Sequence, residues 1–307
     1  MPPQHPDSPL VGAHVSVAGG LPKAFPRAAA LGCTAIQVFV KNGNQWRGPE
    51  LTQETVDAFR AARTSSSVRS VVAHASYLIN LASRETATFT KSLDALTDEL
   101  ERCHRLGIDG LVLHPGAHRG SGIEVGVERV AESLDEVFSR SGRLDTTLLL
   151  ENTAGQGTYL GSTLEELAGI RSRCAHPEQI GFCLDTCHAF AAGAPIQSEN
   201  GLGDWLQHVE AILGVEHVRC FHFNDSLGDC GSRRDRHANL GEGRIGMRAF
   251  ANLMRAPQLK SIPKVLETPT GEASSLHRAD LAKLRAAARR KVQSKPLRVR
   301  PRRRQSP

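Results

Sequence analysis

Short apolar runs alternate with longer amphipathic stretches along nearly the whole chain. LVGAHVSV (10–17), TAIQVFV (34–40), VRSVVAH (68–74), GLVLHPG (110–116), TTLLLEN (146–152), IGFCLD (180–185), HVRCFHF (217–223) and PKVLE (263–267) read as strands. Between them the helical period recurs: over 20–32, from Thr52 to Arg63, and from Arg84 to Leu106, where Leu93, Leu96, Leu100 and Cys103 share a face. It returns over 124–141 and in a last helix from Glu272 to Arg290,. Gly32, Gly107 and Gly142 stand where helices should stop,. The strands are continuous apolar runs, as expected of strands buried on both faces of a parallel sheet. Eight βα units predict an α/β fold, a (β/α)8 TIM barrel, as a single domain over residues 8–290 followed by a basic C-terminal tail, 291–307,.

Composition narrows this little. The apolar fraction of 40% is that of a globular protein, and no run approaches the ~20 apolar residues of a membrane span,. The N-terminus lacks a basic segment followed by an apolar one, so no secretory signal is expected and a cytoplasmic, bacterial-type, nucleoid-associated location is. Seven cysteines show neither a disulfide framework nor a Cys-x-x-Cys zinc site, and read as reduced thiols,. Charge is more informative. From Lys283 onward there are eleven Lys/Arg and no Asp or Glu; subtracting them from the net +6 leaves −5 for residues 1–282. Bound cations would offset an acidic body. The tail alone would hold duplex nucleic acid without sequence preference and with steep salt dependence.

The candidate chemistry sits at the ends of the apolar runs. VVAH ends on His74, LVLH on His114, LLLE on Glu151, FCLD on Asp185 and KVLE on Glu267, while CFHF carries His222. DTCH adds His188, and DRH adds Asp235 and His237. Active sites of such barrels lie at the C-terminal ends of the strands, so the nine side chains are expected to converge. Imidazoles and carboxylates without thiolates suit catalytic Zn²⁺, or Mn²⁺/Fe²⁺, better than structural zinc. Nine ligands could hold three ions if one carboxylate bridges, and Glu151 is the expected bridge. His14 and His118 read as supporting residues.

On these residues the chain resembles the endonuclease IV family of zinc-dependent abasic-site endonucleases. The resemblance rests on GAHVSVAGGL (12–21), HASYLINLAS (74–83), LHPGAH (113–118), ENTAGQGT (151–158), CLDTCHAFAAG (183–193), FHFNDS (221–226), GSRRDRHANLGEGRIG (231–246) and LETP (266–269). It implies three zinc ions, with Mn²⁺ as an alternative at one position. The first would be held by His74, His114 and Glu151; the second by Glu151, Asp185, His222 and Glu267; the third by His188, Asp235 and His237. It further implies hydrolysis of the phosphodiester 5′ of an abasic site in duplex DNA by a metal-bridging hydroxide, with Glu151 catalytic. The products would be a 3′-hydroxyl and a 5′-deoxyribose phosphate, and 3′-blocking groups would also be removed.

Tyr77 and Leu78 occupy the family's DNA-inserting positions. The loop with Asn44, Gln45, Trp46 and Arg47 is a second contact, and Asn44 departs from the intercalating arginine of better-known members. His118, Arg119, Arg233, Arg234, Arg236 and Arg244 are candidate phosphate contacts. A monomer without an obligate protein partner or a membrane is expected. The competing readings are a xylose-isomerase-like, metal-dependent sugar isomerase or epimerase, and a DNA-binding module without catalysis. Neither uses the Tyr-Leu loop and the full ligand set together.

Overall fold

The computed structural model describes residues 8–289, and the basic segment 291–307 lies outside them. Eight parallel strands close into a barrel in the order β1 (Val11–His14), β10 (Lys264–Leu266), β7 (Val218–His222), β6 (Ile180–Asp185), β5 (Thr147–Glu151), β4 (Gly110–Leu113), β3 (Ser70–His74) and β2 (Ala35–Val38). A two-stranded ribbon, β8 (Asp225–Ser226) with β9 (His237–Ala238), rises from the loop after β7. Helices α1 (Ala24–Leu31), α2 (Gln53–Thr64), α3 (Thr86–Leu106), α4 (Ile123–Ser141), α5 (Leu164–Arg173), α6 (Thr186–Ala192), α7 (Glu199–Ile212), α8 (Met247–Arg255) and α9 (Ser275–Arg289) follow the strands. None of them is long and apolar enough to cross a membrane.

The predicted strands are in the right places but shorter than their apolar runs. His114 and Glu267 each lie one residue past their strand, and β1 stops at His14 rather than at residue 17. The ladder ends where backbone groups find other partners. The Glu267 N–H donates to Asn224 Oδ1 (2.8 Å), and Ala18 N–H turns back to Ser16 Oγ (3.2 Å). The last helix starts at Ser275, preceded by a single 3₁₀ turn over Glu272–Ser274. Gly32 and Gly107 end α1 and α3 in the left-handed region (φ 65° and 72°), where a Cβ would be strained,.

Two cores result from the period of two along each strand. Outward side chains such as Val71, Leu111, Leu148, Phe182 and Phe221 pack beneath the helices. Inside the barrel, Val72, Val112, Leu149, Cys183, Cys220 and Val265 fill a separate small cluster. Two residues beyond these six stand His74, His114, Glu151, Asp185, His222 and Glu267, so strand parity points them into the barrel mouth as its next layer,. Gln37, paired in register with Val72 and His14, belongs to the same inward set.

Candidate metal centre and DNA-facing loops

Glu151 is the hub of the mouth. Its side chain is fully buried, and each of its oxygens faces two imidazoles. Oε2 lies 2.9 Å from His114 Nε2 and 3.2 Å from His74 Nε2. Oε1 lies 2.8 Å from His222 Nδ1 and 3.4 Å from His188 Nδ1. Glu267 Oε2 stands 3.2 Å from His222 Nδ1. Asp235 bridges the outer pair, with Oδ2 3.2 Å from His188 Nε2 and Oδ1 3.1 Å from His237 Nε2. Asp185 has a second duty: its Oδ1 caps α6 by accepting the His188 N–H (2.8 Å), which fixes the turn carrying His188,. Among the described residues five groups of donor atoms lie close enough to share an ion, three of them without a thiol: His74, His114 and Glu151; Glu151, Asp185, His222 and Glu267; and Asp185, His188 and His237; a fourth joins His222 to Cys183 and Cys220. Asp235 joins His237 in a further group with Cys187.

The tautomers are set from behind. His74 Nδ1–H donates to Ala75 O (2.7 Å), His188 Nδ1–H to Asn152 O (2.9 Å) and His237 Nδ1–H to Glu267 O (3.3 Å), which turns Nε2 of all three toward the cluster,. His222 is inverted. Its Nε2–H donates to Gln37 Oε1 (2.8 Å), leaving Nδ1 for the cluster. Gln37 Nε2 in turn donates to Glu267 Oε1 (2.6 Å), and Asn224 Nδ2 donates to Asp185 Oδ2 (2.5 Å). Gln37, Asn152 and Asn224 are not among the sequence candidates. Gln37 has a readable signal, being the one polar residue at an inward position of an otherwise apolar run. Asn152, just past β5, and Asn224, just past β7, both hold Asp185 at the end of β6, and have none.

Five imidazoles against four carboxylates need added positive charge, as protons or as cations. Burial alone would push His222 and His188 down, yet Glu267 and Glu151 around the first, and Asp185, Asp235 and Glu151 around the second, hold both well above the ordinary histidine value. His237 is raised to about 9 against burial, chiefly by its contact with Asp235. Burial opposes ionisation of Glu151 too, but the His222 and His114 charges keep its carboxyl well below the usual range. His237 Nε2 is buried and near Asp235 without hydrogen-bond geometry. A ring nitrogen left bare among carboxylate oxygens fits a divalent cation. Cys187 fits less well: burial pushes its thiol up to about 12, and a protonated thiol is a poor ligand,. All seven cysteines are free.

A pocket of about 270 Å³ opens above the cluster, with Tyr77 and Tyr159 on its rim. The two loops flanking Tyr77 are clasped together. Lys41 Nζ is 2.8 Å from Glu99 Oε1, both buried, and donates to Gln45 O (3.1 Å) and Trp46 O (2.9 Å). Glu99 accepts the Ser76 N–H, while Ser76 Oγ and Tyr77 N–H both donate to Gly43 O. Of the loop candidates, Asn44, Gln45 and Arg47 are exposed, whereas Trp46 is partly buried against the core with Lys91 over its ring. Leu78 is half-buried. His118 Nδ1 accepts the Gly120 and Gly122 N–H groups and so shapes its own loop. Arg233, Arg234 and Arg236 flank Asp235 in its loop, with Arg233 in the left-handed region (φ 53°). Arg119 is also left-handed (φ 44°), and Arg244 is largely exposed beside Asp229.

The chain matches the family model described as xylose isomerase-like TIM barrel over residues 25–290. It is 43% identical to the probable endonuclease 4 of Trichlorobacter lovleyi, over 91% of this chain and 99% of that one. The solved endonuclease IV from Thermus thermophilus superposes with a TM-score of 0.81 at 39% identity, covering 91% of this chain and 98% of that chain. A D-tagatose 3-epimerase-like protein shares the fold alone, with a TM-score of 0.65 at 19% identity and coverage of 90% and 96%.

Proposed function

The chain belongs to the endonuclease IV family and is an enzyme of that kind; on that footing we propose that it hydrolyses the phosphodiester on the 5′ side of abasic sites in duplex DNA. The products are a 3′-hydroxyl and a 5′-deoxyribose phosphate, and the same site clears 3′-blocking groups. The observation that carries this reading is Glu151, with four imidazole nitrogens around its two oxygens directly beneath an open pocket.

Three zinc ions, with Mn²⁺ as an alternative at one position, would be held by His74, His114 and Glu151, by Glu151, Asp185, His222 and Glu267, and by His188, Asp235 and His237. When bound, such ions bring the pKa of water to near ~7 and offset charge on the phosphodiester. Glu151 orients the attacking water. The backbone carbonyls of Ala75, Asn152 and Glu267, with Gln37, hold the imidazoles in their ligating tautomers. Tyr77 and Leu78 wedge into the duplex where a base is missing and little stacking is lost. Gln45, Trp46, Arg47, His118, Arg233, Arg234 and Arg236 contact the DNA around them. The protein acts as a monomer in the cytoplasm.

The deciding assay is incubation of metal-loaded protein with duplex carrying a tetrahydrofuran abasic analogue, which cannot undergo β-elimination. Cleavage 5′ of the analogue with a 3′-hydroxyl end supports the reading, and an intact strand overturns it. Two substitutions test its parts. Gln37→Met removes the acceptor that inverts His222, and metal retention should weaken about 10–100-fold, read as zinc release to a chromogenic chelator. Unchanged release would remove Gln37 from the account. Asn44→Arg places a cation on an exposed loop position. It should tighten binding to abasic duplex severalfold and steepen the salt dependence by about one phosphate contact. Titration at two salt concentrations checks both, and equal affinities would refute the contact.

A further inference from the structure

The chain has two tyrosines, Tyr77 and Tyr159, and both line the pocket above the acid–imidazole cluster. Both are among the few large apolar side chains left in water, at 58% and 51% exposure. Their settings differ. Tyr77 is braced edge-on against Phe39, with ring centroids 5.5 Å apart, and tilted against His74 at 5.3 Å. Tyr159 has no ring contact and no side-chain hydrogen bond among the described residues.

Its backbone, by contrast, is fixed on both sides. His118 N–H donates to Thr158 O (3.0 Å), Leu160 N–H to Gly116 O (2.8 Å) and Tyr159 N–H to Gln156 O (3.2 Å), and Tyr159 forms an antiparallel bridge with Ala117. The next residue, Leu160, is fully buried. An unbraced aromatic ring thus stands on a tightly bonded stalk beside the cluster. Tyr77 follows β3 and Tyr159 follows β5, so the β4 loop with His114 separates them along the rim.

We propose that Tyr159 is a second stacking platform, which receives a nucleobase of the substrate duplex beside the lesion, on the rim away from Tyr77. The inference rests on the repair reading above. A base is the ligand class that a bare ring on a rigid stalk recognises: every base has a π-face, whereas a phosphate gains nothing from an aromatic face. Stacking there would also bury the ring area that folding leaves exposed. The base could come from the incised strand or from the strand opposite, and both supply the same chemistry.

The test uses metal-loaded protein and a duplex with a tetrahydrofuran site flanked 5′ by a non-hydrolysable methylene phosphonate. The fluorescent base 2-aminopurine is placed in turn on either side of the lesion and on the opposite strand. Wild type and Tyr159→Phe should change the fluorescence of one of these positions alike, which identifies the source strand. Tyr159→Ser should lose that change and bind the abasic duplex about 10- to 100-fold more weakly, with zinc content and melting temperature unaltered. The proposal is overturned if Tyr159→Ser keeps wild-type affinity and the same fluorescence pattern. It is equally overturned if Tyr159→Phe is as impaired as Tyr159→Ser, since the hydroxyl and not the ring would then matter, or if Tyr159→Ser loses zinc or melts several degrees lower. A wild type without preference for abasic over intact duplex would instead sink the repair reading, and this inference with it; preference in the wild type with no effect in Tyr159→Ser sinks the inference alone.

Discussion

Replacing Glu151 by Gln should lower nicking of abasic duplex by at least about 10³-fold and reduce the zinc held per chain. The carboxylate presents two equivalent oxygens, one toward His74 and His114 and the other toward His222 and His188. An amide keeps one of these acceptors and turns the other into an NH₂ group with no lone pair to offer. One side of the hub therefore loses its ligand whichever way the amide is turned. The substitution is nearly isosteric, so the packing of Leu149 and Leu150 beneath it should survive,. Single-turnover cleavage measured together with elemental zinc analysis separates the two effects. Wild-type cleavage by Glu151→Gln would remove the hub from the mechanism, and full zinc with lost cleavage would confine its role to orienting water.

Why so much of this centre can be read from the chain follows from strand parity. In a sheet buried on both faces, a polar side chain at an inward position is costly unless it is used. LVLH, LLLE and FCLD put a polar group two residues after an inward apolar one, in three different strands. The repeated offset turns separate weak signals into one layer at the barrel mouth. The same logic covers Gln37, whose run is otherwise apolar, but an amide is not a metal-ligand type and a search for ligands passes over it.

Other features leave no local trace. The Lys41–Glu99 pair joins a loop residue to the middle of α3, 58 positions away, so neither residue signals the other. Tyr159 lies in a polar loop whose sequence shows a tyrosine and not the backbone hydrogen bonds that hold it upright. Element ends differ from the sequence pattern for a related reason. Apolar runs continue past the strand ends because the barrel mouth also buries residues such as Val15, Val40 and Phe223, which belong to no strand although the Val15 and Phe223 N–H groups still donate to Gln37 O and Val265 O.

Stripping the metal should make the protein lose stability toward alkaline pH, a loss that the metal-loaded protein is spared. Without cations the cluster is balanced by protons on His188, His222 and His237, whose folded-state values lie above the ordinary ~6.5,. A raised histidine contributes stability that is complete below its unfolded value and is lost as pH climbs through the folded one, which for His237 is about 9,. Asp235 and Glu267 work in the opposite direction. Burial disfavours their charge, but the neighbouring imidazoles depress both, so their contribution is present above the ordinary carboxylate value of ~4 and is lost as pH falls below it,. The metal-free protein should therefore be most stable between about pH 5 and 6.5 and weaken steadily toward pH 9. Metal binding needs these imidazoles neutral, so protons compete with it at the acid end and its stabilisation grows as pH rises. A site held at a thousand times its Kd contributes about 4 kcal/mol, a rise in melting temperature on the order of 10 °C for a chain of this size. Melting curves of chelator-treated and zinc-loaded protein at pH 6 and pH 9 measure this directly, and the gap between them should widen from the first to the second. A gap of equal size at both values, or a stripped protein that melts higher at pH 9 than at pH 6, would mean that the carboxylates and imidazoles at the barrel mouth do not exchange protons for cations.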